Sequence, residues 1–305
     1  MYPANKSLLT EAAITYLLAD GAMGTEFRKA GLPLETPPEL LNLINADSVS
    51  DLHKQYLNAG AHCITTNTFG ANRFRLAACG LDEGTVEVLV QAALAAAKSA
   101  METSEAASTR DQWILGSVGP CSSPGERLAI TNPQDVTAAY MEQIVELAFN
   151  GADAILIETV TCLEEGRLAL NAAREAAQGL PVIVSLCFQN AGGAGRYTMP
   201  RSGEPLDTAI TTVASWSPSA IGVNCGINLD ISDYATIVAA MRAKFDGVIM
   251  ARPPAGPNPE APDSPELMAD GIWGLIRAGA NIVGGCCGTT PDHIRLFAAE
   301  LERLH

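Results

Sequence analysis

A single (β/α)₈ barrel is the fold this sequence predicts. Short apolar runs alternate with helical periodicity from end to end, the same punctuation recurs between them, and 305 residues suit one α/β barrel of typically ~250. In order, strands are expected at Thr15–Ala19, Cys63–Asn67, Trp113–Val118, Ala154–Glu158, Val182–Phe188, Ile221–Cys225, Val248–Arg252 and Asn281–Gly284. Most are near-continuous hydrocarbon, the pattern of parallel strands covered on both faces. Between them lie amphipathic stretches such as Thr137–Phe149, where Tyr140, Ile144, Leu147 and Ala148 share one face. Gly60-Ala61, Gly151-Ala152 and Gly279-Ala280 each stand where a helix should end and a strand begin, because glycine tolerates the left-handed turn that closes a helix. Asn132-Pro133, Ser264-Pro265 and Thr290-Pro291 read as N-caps followed by proline at the first helical position. Two longer segments, Gln189–Glu204 and Pro253–Pro265, follow strands and belong as loops at the catalytic rim. No linker divides the chain, so residues 1–305 are expected to form one domain.

Composition narrows the function. The chain is 48% hydrophobic and only 5% aromatic, which favours a core of Ala, Val, Ile and Leu. A formal net charge of −15 with no basic run excludes a nucleic-acid backbone as partner. No stretch approaches the ~20 apolar residues of a membrane span. Met1-Tyr2-Pro3-Ala4-Asn5-Lys6 lacks the basic segment and apolar run of a signal peptide. Eight cysteines without a secretory signal point to a reducing cytoplasm, where clustered thiols mean metal or catalysis more often than disulfides.

Three of those cysteines carry the strongest signal. Cys225 ends the sixth expected strand, and the vicinal pair Cys286-Cys287 follows the eighth, 61 residues later. In a closed barrel both strand ends open on one mouth, so the three thiols can converge on one ion, and the flanking glycines let both vicinal cysteines turn toward it. Three thiolates on Zn²⁺ leave one tetrahedral position open, as in a catalytic site. The cluster carries about −1 charge, so it activates water poorly but lowers the pKa of an incoming thiol from ~8.5 and keeps the bound sulfur nucleophilic. The chemistry indicated is thiol alkylation. The competing readings are three buried cysteines, a redox pair, or a zinc hydrolase, but hydrolase sites use histidine and carboxylate clusters that this chain lacks.

With Asn224-Cys225 and Gly284-Gly285-Cys286-Cys287-Gly288, the chain resembles the homocysteine S-methyltransferase family. Further matches are Asp20-Gly21-Ala22-Met23-Gly24-Thr25-Glu26, Thr66-Asn67-Thr68-Phe69-Gly70-Ala71-Asn72 and Ile157-Glu158-Thr159. The likeness runs from about Tyr16 to Ala298. Within the family it is most similar to the homocysteine barrel of cobalamin-dependent methionine synthases. The resemblance implies Zn²⁺ on Cys225, Cys286 and Cys287 as the catalytic centre, with homocysteine as acceptor and methionine as product. It implies substrate contacts from Asp20, Gly21, Ala22, Met23, Gly24, Thr25, Asn67, Glu158 and Asn224. The Gly21–Thr25 loop would offer backbone N–H groups to an α-carboxylate. Glu158, at the end of a hydrocarbon strand, would meet either an α-ammonium group or an internal arginine. Asp20, Asn67 and Asn224 would orient substrate or zinc ligands.

Cys63, Cys79, Cys121, Cys162 and Cys187 read as core residues, with Cys121 and Cys187 as candidate wall residues near strand ends. Gly192-Gly193-Ala194-Gly195 lacks the following helix that a phosphate cradle needs. The sequence departs from the family in two ways. It holds one barrel and no folate or cobalamin module, so the expected donor is a methylsulfonium, a betaine, or a separate methyl-corrinoid carrier protein. After the seventh strand it reads Arg252-Pro253-Pro254-Ala255-Gly256 where similar barrels often have Pro-Asn-Ala-Gly, which leaves the donor, and a related thiol or selenol acceptor, open.

Overall fold

The computed structural model describes residues 7–82, 84–122, 132–193, 195–258 and 261–303. Eight parallel strands form the sheet: β1 (Leu17–Leu18), β2 (Cys63–Thr65), β3 (Trp113–Val118), β4 (Ala154–Val160), β5 (Val182–Leu186), β6 (Ala220–Asn224), β7 (Val248–Arg252) and β8 (Ile282–Val283). Their spatial order is β1-β8-β7-β6-β5-β4-β3-β2. A parallel bridge between Ala19 and Cys63 joins the two ends. The barrel is therefore closed, as the sequence predicts. Each expected strand is present, although β1, β2, β5 and β8 are shorter than the runs that mark them, β6 begins and ends one residue earlier, and β4 runs two residues further.

The principal helices around the sheet are α1 (Ala46–Asn58), α2 (Thr85–Thr103), α3 (Pro133–Phe149), α4 (Leu163–Ala176), α5 (Leu206–Ser215), α6 (Ile231–Arg242), α7 (Pro265–Ala278) and α8 (Pro291–Glu302). Their ends follow the expected punctuation. Asn132 and Ser264 cap α3 and α7 through side-chain oxygens. At α8 the roles are exchanged, and His293 Nδ1 accepts from the Thr290 N–H at 3.1 Å. Gly60, Gly151 and Gly279 take φ values of +118°, +91° and +111° where helices close. Among the described residues no helix is long and apolar enough to cross a membrane.

Two apolar clusters hold the fold together. One fills the space between strands and helices, from Leu18 and Ile64 to Ile249 and Phe297. The other lies inside the barrel and includes Leu17, Ala19, Cys63, Leu115, Ala154, Leu156, Ile183, Ala220, Val248, Met250 and Ile282. Leu8 and Ala12 of the short helix Leu8–Ala12 join this inner cluster and cover the barrel floor. The segment Gln189–Glu204, expected as loop, contains a hairpin pairing Gln189–Asn190 with Tyr197–Thr198. The Tyr197 hydroxyl bonds Asp233 at 2.6 Å and anchors the hairpin to α6.

His62 stands at the barrel seam. Its backbone N–H donates to Leu18 O at 2.7 Å, and its Nδ1 accepts from Leu18 N at 3.1 Å. The second bond requires an unprotonated ring nitrogen. Burial first, and the Arg110 charge next, push the His62 pKa down to about 4. Folding thus favours the neutral ring, so its contribution is complete above the ordinary value of 6.5 and is lost as pH falls through about 4. Urea unfolding compared between about pH 7 and about pH 4 is expected to show a loss of about 3 kcal/mol attributable to this ring. The loss should disappear in His62→Asn, whose amide oxygen can accept without titrating.

Candidate metal and substrate site

Side chains alternate in and out along each strand, and this alternation builds the mouth. Along the inner face, Leu115 leads to Ser117, Leu156 to Glu158, Ile183 to Ser185, and Met250 to Arg252. Asn224 ends β6 in the same way. Hydrocarbon layers therefore give way to one polar layer at the C-terminal ends of the strands, where barrel enzymes carry their sites.

Above that layer the sulfur atoms of Cys225, Cys286 and Cys287 lie within 4.8 Å of one another. Cys225 sits in the left-handed region at φ 55°, and its carbonyl accepts from the Tyr234 hydroxyl. The vicinal pair is laced to the loop after β7: Cys286 N donates to Pro253 O and Ala255 N to Cys287 O, both at 2.9 Å. A side chain at Gly285 would collide with Thr289, whose hydroxyl donates to Cys286 O at 2.7 Å. Asn224 clamps the other side. Its Oδ1 accepts from Thr159 N at 2.9 Å and Ser185 Oγ at 2.6 Å, and its Nδ2 approaches Cys286 Sγ at 3.9 Å.

The donor set fits a thiophilic ion. Three sulfurs converge without a histidine or carboxylate among them, as soft-ligand sites for zinc require. The thiols are also unequal. Cys286 is held well below the ordinary thiol range, first because Cys225 and Cys287 donate hydrogen bonds to it and further by the Arg252 charge. Cys225 is pushed up, first through its hydrogen bond with Cys187.

Beside the sulfurs lies a buried ion network. Arg252 Nη2 bonds Asp20 Oδ1 at 2.9 Å, Nε bonds Gly285 O at 3.0 Å, and Nη1 stands 3.6 Å from Glu158 Oε2. Asp20 also accepts from Thr65 N at 2.6 Å and Thr65 Oγ1 at 2.8 Å, and Glu158 accepts from Ser117 Oγ at 2.5 Å. Burial raises the Asp20 pKa to about 6, with Arg252 pulling the other way. Glu158 is raised by burial too.

A cavity of about 950 Å³ opens over these groups. It is lined by Gly21, Ala22, Met23, Gly24, Thr25, Asn67, Glu158, Cys225, Cys286 and Cys287, all of them expected from the sequence. Asp20 and Asn224 are not in its wall. Both are buried one layer behind it, Asp20 against Thr65 and Arg252, Asn224 against Thr159 and Ser185. Cys187 lines the cavity, whereas Cys121 does not, and its backbone N–H is held by Glu165 at 2.7 Å.

The family described as homocysteine S-methyltransferase matches residues 17–301. The chain belongs to the homocysteine S-methyltransferase family. It is 31% identical over 316 residues to a methionine synthase of Mycobacterium leprae, covering 98% of this chain and 25% of that protein. A methionine synthase of Mycobacterium tuberculosis is 30% identical over 306 residues, with 94% and 25% covered. The chain thus spans about a quarter of the length of these curated relatives. Its fold is that of the homocysteine methyltransferase MmuM from Escherichia coli in its metallated form, with a TM-score of 0.79, 24% identity, and 96% and 99% of the two chains covered.

In this member of the homocysteine S-methyltransferase family, sequence reasoning assigns no role to Arg252 or Thr159, although both stand in its motifs, and does not single out Ser117 or Ser185. Arg252 had a signal: one cation ending the otherwise apolar run Val248-Ile249-Met250-Ala251. Such a charge is not buried without partners. Replacement by methionine would leave Asp20 and Glu158 uncompensated. Arg252→Met is expected to lose about 3–5 kcal/mol in chemical denaturation at neutral pH. Because the fold raises both carboxyl pKa values, the deficit should shrink as pH is lowered and the carboxylates take up protons.

Proposed function

We propose that this barrel transfers a methyl group to the thiolate sulfur of homocysteine, giving methionine, with zinc held by Cys225, Cys286 and Cys287. One observation carries the reading: three thiols within 4.8 Å of one another at the floor of a cavity that also contains a carboxylate, Glu158. Zinc bound by three thiolates would ionise an incoming thiol near neutral pH and keep its sulfur nucleophilic.

The chain's own residues supply the rest. Asn224 and Thr289 hold the sulfur-bearing loops in register. Glu158, fixed by Ser117, faces the cavity where an α-ammonium group can meet it. The Gly21–Thr25 loop and Asn67 form the opposite wall. Asn67 is locked by bonds to Pro38 O at 2.8 Å and Asn42 Oδ1 at 3.0 Å. In the reaction a sulfur–carbon bond forms in line as the donor's bond to the methyl carbon breaks, and the leaving group keeps that electron pair. Alignment at ~3–3.5 Å is the main contribution a protein makes to such a displacement.

A cavity of this volume exceeds what homocysteine fills and leaves room for a donor. A small onium donor, methylsulfonium or betaine, is the first reading. A second, delivery from a separate methyl-corrinoid carrier protein, is supported by the similarity to methionine synthases.

Purified protein should bind one zinc per chain by elemental analysis. Cys286→Ala and Cys225→Ser should each lower metal content and reduce methionine formation at least about 100-fold. The assay offers the zinc-loaded protein homocysteine with a methylsulfonium, a betaine, or a methyl-corrinoid carrier. Turnover with a small donor alone favours the first reading, turnover only with the carrier the second. Full activity and full metal in Cys286→Ala would refute the ligand assignment.

A further inference from the structure

The sulfur cluster occupies one side of the mouth. Its cysteines follow β6 and β8, which flank β7, and in the closed ring of eight strands β7 stands opposite β3. The far wall of the cavity therefore comes from the segments after β2 and β3, which contribute Phe69, Arg75, Pro120 and Ser122. Arg75 belongs to the short helix Arg73–Ala78 after β2. Arg201, beyond the hairpin that follows β5, reaches the same wall and donates from Nη1 to Ser122 Oγ at 2.6 Å.

Four arginines line the cavity, and two of them are committed to the protein itself. Arg28 donates to the carbonyls of Leu32 and Thr36. Arg252 serves Asp20 and Gly285. Arg75 is different. It lies over the Phe69 ring at 5.1 Å from the centroid, and its Nη1 is buried without a hydrogen-bond partner. Among the described residues no carboxylate pairs with it. Glu39, on the same cavity wall, is turned instead to Gly70 N at 2.5 Å. Arg201 commits Nη1 to Ser122 and Glu165, and its Nε has no partner. A half-buried guanidinium without a counter-ion is costly. In a chain of formal net charge −15, acidic residues to pair with it are not scarce, so its unpaired state calls for an explanation.

We propose that Arg75 and Arg201 hold a carboxylate carried by the methyl donor, so that the donor is an onium carboxylate rather than a bare onium cation. This rests on the small-donor reading above and names the groups that select the donor.

The polarity of the cavity supports this. Its sulfur-lined floor and Glu158 favour a positive onium centre, whose methyl group must lie against the acceptor sulfur. Across the mouth stand two guanidinium groups, which would repel a donor that was cationic throughout. A molecule with an onium at one end and a carboxylate at the other meets both sides. The planar fork of arginine suits a carboxylate better than a point charge would, and stacking on Phe69 holds Arg75 in place for it. Ser122 adds a hydroxyl beside Arg201 that can donate to the same group.

Methionine formation by the zinc-loaded protein tests this with dimethylsulfonio-acetate, -propanoate and -butanoate, each compared with its primary amide. The amide keeps the size of the donor and removes its negative charge. Wild-type protein should use at least one acid at least about tenfold better than its amide in kcat/KM. Arg75→Gln, which leaves no carboxylate unpaired, should abolish that preference by raising the KM of the acid. Its kcat and its KM for homocysteine should change less than about twofold, and Arg75→Lys should restore part of the preference. Arg201→Lys, which keeps a cation for Glu165, should also raise the KM of the acid and spare the amide. Equal use of acids and amides by the wild type, or equal weakening of both by Arg75→Gln, overturns the carboxylate assignment and leaves the small-donor reading standing. Turnover only with a methyl-corrinoid carrier overturns both and leaves the acceptor reading intact. Failure with every donor overturns the proposed function as well.

Discussion

Two carboxylates and three thiols share the throat of this barrel, and a single guanidinium makes that possible. Like charges about 4 Å apart repel by roughly 4 kcal/mol at an effective dielectric constant of about 20, so Asp20, Glu158 and an ionised Cys286 could not be buried together unaided. Arg252 compensates them and does more than neutralise. From the end of β7 it reaches Asp20 after β1, Glu158 on β4 and the Gly285 carbonyl after β8. Asp20 extends the connection to β2 through Thr65. The mouth is thus held at fixed width by ion pairs, while the layers beneath are held by hydrocarbon.

Two of the four non-glycine residues at positive φ among those described lie in the same layer. Thr159 and Cys225 adopt φ values of 59° and 55°, and the register of β4 against β5 shifts between Ile157 and Val160. Such conformations cost of order 1–3 kcal/mol each and persist only where neighbours over-determine them. Asn224 does so here, with hydrogen bonds to both the backbone and the hydroxyl of Thr159 and a contact to Cys286. The strained turns point one cysteine and one wall of the cavity inward, and rigidity at the donor atoms follows from the strain being trapped.

Much of this was legible in the residues. The strands announced themselves as unbroken hydrocarbon because both faces of a barrel strand are covered, and the vicinal cysteines because two adjacent thiols after a strand have few structural uses. Asp20 and Asn224 were found, but their layer was not: proximity to a strand end does not reveal whether a side chain enters the cavity or supports one that does. Counting by twos from Met250 would have placed Arg252 in the polar layer, yet its partners come from residues 20, 158 and 285, separations no local pattern encodes. Glu158 was weighed between a ligand's ammonium group and an internal arginine. The arginine is there, and one carboxylate oxygen is left over. The hairpin after β5 was missed because its strands are two residues each and its anchor, Tyr197 to Asp233, is tertiary.

The strand order also has a temporal meaning. β8 lies between β7 and β1, and the pair Cys286-Cys287 follows it directly. During synthesis, where earlier segments fold first, the ring stays open on the side of β1 until this last strand inserts. Until then the nascent chain holds Cys225 without the two sulfurs that converge on it in the finished barrel. Convergence of the three sulfurs is thereby made a late event, reached only once the eighth strand has locked the ring.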